Sequence, residues 1–121
     1  MLPSYSTEVV EYIDPDGRSP YGEWFNHLNA PAAAKVVIAV TRLSQGNLSN
    51  VKGVGSGVSE CRLDFGPGYR VYFGRDGGRL VVLLGGGTKQ RQHRDIDHAI
   101  QKWQDYKKRK NWASHGIDKG L

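Results

Sequence analysis

The sequence predicts an α+β domain in the order β-α-α-β-β-β-α: a small, curved, mainly antiparallel sheet packed against a helical hairpin, with a C-terminal helix. Three observations predict it. Two helix starts, Ser19-Pro20 and Pro31, follow one another closely; residues 59–75 alternate with period two; apolar residues at helical spacing return near the end. A chain of 121 residues is one domain's worth of polymer. We therefore expect a single domain over residues 1–121, with 111–121 a flexible tail.

Thr7–Ile13 reads as a short strand, because Val9, Val10, Tyr12 and Ile13 supply β-branched and aromatic character. Asp14-Pro15-Asp16-Gly17 supplies turn chemistry. Ser19 then caps a helix that has Pro20 at its first position and Tyr21, Trp24, Phe25 and Leu28 at helical spacing. Pro31 opens a second helix whose stripe is Ala33, Val36, Val37, Val40 and Leu43, with Gly46 as its left-handed cap. Helices joined by about two residues form an antiparallel hairpin. Gly46–Gly57, rich in Gly, Asn and Ser, is expected to be a mobile loop.

In Ser59–Phe65, the residues Cys61, Leu63 and Phe65 share one face, and Glu60, Arg62 and Asp64 the other. After Gly66-Pro67-Gly68, the residues Tyr69, Val71 and Phe73 point one way and Arg70 and Tyr72 the other. Leu80–Leu84 is apolar on both faces, as a strand covered on both sides would be. Gly85, Gly86 and Gly87 are expected to end it. The last helix is predicted over Arg91–Lys110, closing one edge or end of the sheet, with Ile96, Ala99, Ile100 and Trp103 inward.

Charge is unevenly spread. Residues 1–57 hold four Lys and Arg against five Asp and Glu; residues 58–121 hold thirteen against seven. A basic half attracts a polyanion or an acidic partner. No apolar run approaches the ~18 residues of a membrane span, and from Met1-Leu2-Pro3-Ser4 no secretory signal is expected. A cytoplasmic location without membrane association is expected. The lone Cys61 forms no intrachain disulfide and no Cys-based zinc motif.

Strand pleating should bring Glu60, Arg62, Arg70 and Tyr72 onto one surface. Lys89, Arg91, His93 and Arg94 follow the glycines into the last helix, whose N-terminus favours phosphate. Together they describe a concave basic site, with Tyr72 available to stack on a base. The same side chains would also make cross-strand ion pairs on a solvated face. Arg70→Ala is expected to leave the fold intact. Lys107 and Lys108, in a frayed basic helix end, would add counterion release on RNA. Gly85-Gly86-Gly87-Thr88-Lys89 has the wrong spacing for a phosphate loop. His93 and His98 lie five apart with no third ligand, so no metal and no cofactor is expected.

Several segments are familiar in combination: Gly57-Val58-Ser59-Glu60-Cys61-Arg62, Gly66-Pro67-Gly68-Tyr69-Arg70-Val71-Tyr72-Phe73, Leu83-Leu84-Gly85-Gly86-Gly87-Thr88-Lys89-Gln90, and Arg94-Asp95-Ile96-Asp97-His98-Ala99. With Trp24-Phe25 and Arg42-Leu43-Ser44-Gln45-Gly46-Asn47-Leu48 upstream, they resemble the RelE/ParE superfamily of type II toxin–antitoxin toxins, closest to the HigB-like addiction module killer branch. The resemblance spans roughly residues 5–106 and implies a RelE-like fold.

The resemblance also implies a toxin neutralised by a cognate antitoxin, a small helix-turn-helix protein through which alone operator DNA would be contacted. For many relatives the activity is metal-independent mRNA cleavage on the ribosome, in which a 2′-hydroxyl attacks the adjacent phosphate. Arg70 matches the family's phosphate-binding arginine, and Arg62 and Lys89 match basic positions of the same site. Arg91 joins them as a catalytic candidate, with Glu60, Tyr72, Arg94, Lys107 and Lys108 as RNA-binding candidates. Where relatives often have a Tyr or His acid or base, this chain has Ile96, so His93 is the expected proton-transfer group. Gln90 follows the lysine where relatives have arginine. The alternatives are a ParE-like inhibitor of gyrase that cleaves nothing, and an inactive toxin that only binds antitoxin.

Overall fold

In a computed structural model, described over residues 7–119 with side chains through Asn111, the chain forms a mixed five-stranded sheet and three helices. Strand β1 is Glu8–Glu11, helix α1 Pro20–Asn26 and helix α2 Ala30–Ser44. Strands β2 (Val51–Gly55), β3 (Val58–Leu63), β4 (Tyr69–Asp76) and β5 (Leu80–Thr88) follow, then a 3-10 turn at Lys89–Arg91 and helix α3, Gln92–Lys119. The sheet order is β1-β5-β4-β3-β2, with β1 parallel to β5 and every other pair antiparallel.

The helix starts follow local chemistry. The Ser19 hydroxyl accepts from the Gly22 amide at 2.8 Å, and the Asn29 side chain accepts from the Ala32 amide at 2.9 Å. Both satisfy amides that a first helical turn leaves unpaired. Gly46, at φ 81°, stands just past the C-cap of α2. The buried stripe of α2 is Ala32, Val36 and Leu43, with Ala39 and Val40 half-buried beside it. Val37, expected inward, is half exposed because the hairpin is rotated to bring Ala32 against the sheet.

Two cores result. On one face, Tyr21, Ala32, Val36 and Leu43 of the hairpin pack on Cys61, Leu63, Val71, Phe73, Val81 and Leu83. On the other, Ala99 and Trp103 of α3 cover Val58, Tyr72, Val82 and Leu84, with Tyr12 alongside. Helix α3 thus lies across the second face of the sheet, not at one edge or end. Both faces of β5 are therefore apolar, as its composition predicts.

Three expectations are corrected. The predicted loop at Gly46–Gly57 contains β2, which hairpins onto β3 through Ser56-Gly57, both with positive φ as a type I′ turn requires. Only Val51 and Val54 mark that strand in a polar, glycine-rich sequence, so its propensity signal is weak. The triple glycine does not end β5, because bare backbone lets ring systems approach: a Cβ at Gly86 would collide with Trp24, as one at Gly74 would with Trp103. Finally, α3 continues beyond Lys110 to Lys119, so most of the expected 111–121 tail is helix and Gly120 and Leu121 lie outside the described residues.

The far end of α3 is fastened by polar contacts. The Tyr12 hydroxyl donates to Asp105 at 2.6 Å, and Arg109 bonds both Asp105 and the Ile13 carbonyl. Tyr106 and Lys110 both donate to Asp76. Burial and the acceptor carboxylates push the Tyr12 and Tyr106 hydroxyls up to about 12, and those bonds hold the two carboxyls below their usual range.

Candidate active site

The β3–β4–β5 register sets the site. Arg62 lies opposite Arg70, and Arg70 opposite Gly87, so both arginines belong to the α3 side of the sheet. One step along, Glu60 lies opposite Tyr72, and Tyr72 opposite Gly85. The Lys89 amide donates to the Gly68 carbonyl at 2.8 Å. A Cβ built on Gly68 would lie 3.4 Å from Lys89 Cβ and 3.6 Å from Arg70 Nη1, so Lys89 and Arg70 flank that glycine. Arg62, Arg70 and Lys89 therefore meet at one end of the sheet, where Arg62 and Lys89 are exposed.

Arg70 itself is not a surface group. It is 5% exposed, its Nε lies 3.8 Å from Glu60 Oε2, and its Nη1 donates to the Tyr69 carbonyl at 3.1 Å. Glu60 is fully buried and accepts at Oε1 from Gln92 Nε2, 2.8 Å away. Arg70→Ala would strand a buried carboxylate, so the substitution is expected to cost stability and not to be neutral as on a solvated face. Glu60 and Tyr72 are also displaced from their expected RNA-facing roles. At 0% and 1% exposure they lie beneath α3, and the Tyr72 ring belongs to the core with Val58, Leu84 and Trp103. Their strand face is covered, which alternation alone does not reveal.

Among the described residues, four buried polar atoms lack a hydrogen-bond partner: Glu60 Oε2, Arg70 Nε, Tyr72 Oη and Asp95 Oδ2. They lie in adjacent rows. The Asp95 carboxylate occupies the space where a Gly87 side chain would be, next to Arg70 in register. Burial raises the Asp95 carboxyl, an effect opposed by the charges of His98, Arg91, Lys102 and Arg94. Burial, then the charges of Glu60 and Asp95, raises the Tyr72 hydroxyl. Each unsatisfied buried group costs about 1–3 kcal/mol. Such clustering is typical of sites that hold water or wait for a ligand.

The remaining candidates divide. Arg91 and Arg94 are exposed around the start of α3, close enough to Asp95 to stabilise its charge. His93 is exposed beside Gln92, on the flank of the helix and not on the face meeting Glu60. Lys107 and Lys108 lie about 22 Å further along α3, at ~1.5 Å rise per residue, so they do not join the cluster; Lys107 Nζ instead sits 5.8 Å over the Trp103 ring. Sequence reasoning missed Asp95 and Gln92. Both fall on the inward stripe of α3 with Ile96, Ala99 and Trp103, and polar residues on an apolar stripe were the available signal. No group of three His, Cys, Asp or Glu side chains suited to a metal occurs among the described residues.

Chemically, the arrangement pairs exposed cations with a buried, fixed guanidinium and a carboxyl held above its ordinary range. Fold and site define a small α+β domain whose mixed sheet is covered on both faces and gathers cations at one end. The chain is 42% identical over 80 residues to an uncharacterized protein of Haemophilus influenzae, spanning 65% of this chain and 81% of that protein. It belongs to the same family as that protein. No protein-family model matches the chain.

Proposed function

We propose that the chain is the toxin of a type II toxin–antitoxin module, of the RelE/ParE superfamily and its HigB-like branch, acting as a ribosome-dependent mRNA endoribonuclease. The observation that supports this reading best is the meeting of Arg62, Arg70 and Lys89, from three separate segments with family-like motifs, at one end of the sheet. In the proposed reaction the 2′-oxygen of one nucleotide attacks the adjacent phosphorus, and the bond to the 5′-oxygen of the next breaks. The products are a 2′,3′-cyclic phosphate and a 5′-hydroxyl. The 2′-hydroxyl proton leaves to a base and the leaving oxygen gains one from an acid. Arg62, Lys89 and Arg91 balance charge on the phosphate oxygens, and Arg70 holds the pocket's end through Glu60. His93 is the exposed proton-transfer candidate and Asp95 the buried one. A cognate antitoxin would neutralise the protein, and no cofactor enters the scheme.

Primer-extension mapping of messenger ends after induction tests the reading. Codon-aligned cuts that vanish in Lys89→Ala and Arg62→Ala, both exposed and so expected to fold, support it. Growth arrest without new ends refutes it.

The burial of Arg70 and Tyr72 favours a second reading, a ParE-like inhibitor of gyrase that cleaves nothing, because the Tyr72 ring is closed to a base. DNA damage on induction with intact messengers would select it. Among the described residues no helix is long and apolar enough to cross a membrane.

A further inference from the structure

A cleft beside α2 lies against the hairpin-side core and shares only Arg62 with the basic cluster at the end of the sheet. It encloses about 290 Å³ between α2 and the end of β3, closed on one side by the loop before β2. It is lined in part by apolar side chains, with Leu63 and Cys61 buried and Ile38 and Phe65 open to it, and by Asn47, Ser49 and Asn50 of the loop. Its rim is cationic: Lys35 and Arg42 from α2 and Arg62 from β3, against the single carboxylate Asp64.

The cleft exists because the edge strand stops short. Val51, the first residue of β2, lies opposite Cys61, and only the Asn50 carbonyl reaches further, accepting from the Arg62 amide at 3.0 Å. Beyond that point the β3 edge has no strand beside it. Helix α2 meanwhile presents apolar side chains outward, with Val37 51% and Ile38 49% exposed.

We propose that this cleft docks an acidic segment of a partner protein, one that seats a large apolar side chain between Ile38 and Phe65 and sets carboxylates against Arg42 and Arg62. Three rim cations against one carboxylate require an anionic partner. RNA fits less well, since Phe65 is the one ring lining the cleft and Lys35 Nζ already sits 5.2 Å over it, where a base would stack. The volume suits one apolar anchor with flanking backbone. The surface does not depend on whether the chain cleaves RNA.

A displayed library of random dodecapeptides, panned on the full-length protein, tests the proposal. The expected consensus combines Asp or Glu with one Leu, Phe or Trp. The synthetic consensus peptide should lose at least about tenfold in affinity, ~1.4 kcal/mol, on Arg42→Glu and on Ile38→Asp separately. Both positions are exposed and lie outside the proposed catalytic cluster. The proposal is overturned if no peptide is enriched, if the consensus lacks acidic residues, or if both variants bind like wild type. Displacement of the peptide by a random-sequence oligoribonucleotide whose own binding falls equally in Arg42→Glu would overturn it too, by assigning the cleft to RNA.

Discussion

Replacing Arg70 by Ala removes one partner of an ion pair whose side chains are 6% and 0% exposed and whose charged atoms lie 3.8 Å apart. At an effective dielectric of about 20, two unit charges at that distance attract by about 4 kcal/mol. Breaking a buried pair from one side costs a similar amount, about 3–5 kcal/mol, because the remaining charge has no compensation. Gln92 still bonds Glu60 Oε1, which places the expected loss toward the lower end. With a urea slope of about 2 kcal/mol/M for a chain this size, the unfolding midpoint should fall by about 1.5 M. Glu60→Gln in the Arg70→Ala background removes the orphan charge and should recover most of that fall. Urea titration followed by tryptophan fluorescence measures both variants. An Arg70→Ala midpoint within about 0.3 M of wild type would refute the reasoning, because it would mean that the pair is solvated. The double variant also provides a folded background in which growth arrest tests the proposed site.

Three further outcomes are expected. Tyr72→Phe removes an unpartnered buried hydroxyl, so stability should hold or rise by about 1 kcal/mol, and growth arrest should persist; urea unfolding and growth curves check the two. Asp95→Asn should raise the melting temperature at neutral pH by about 4 °C, for about 1 kcal/mol of relieved desolvation. Because burial raises the folded carboxyl, that gain should shrink as pH falls through the raised value and wild-type Asp95 protonates; a gain independent of pH would contradict the assignment. Asp76 and Asp105 have the opposite sign. Their folded values are depressed, so their contribution is full above the unfolded value of about 4 and is lost as pH falls below it. Melting temperatures measured across that range should drop less steeply in Asp76→Asn and Asp105→Asn than in wild type.

The family kinship with the Haemophilus influenzae protein covers most of that protein's length and supplies no activity by itself. The functional reading therefore rests on which side chains the fold gathers. At Asp95 a carboxyl is buried with one oxygen lacking a hydrogen-bond partner, which lowers stability, and burial raises its proton affinity above that of an exposed carboxyl.

The sequence by itself determined the local decisions. Ser19-Pro20, Asn29 and Gly46 fix where helices start and stop, and the alternation through residues 59–75 fixes which residues share a face, because those outcomes depend on neighbours within a turn or a pleat. It also placed Arg62 and Arg70 on one side. Only the tertiary structure decided what covers that side. Helix α3 lies over it, so Glu60 and Tyr72 are buried, Arg70 becomes half of an internal ion pair, and Asp95 and Gln92 enter the site. β2 was likewise decided at long range: its two valines hold a strand only because β3 offers an edge to pair with. Periodicity reports the face a side chain points to, and burial depends on the element that the rest of the chain brings against that face.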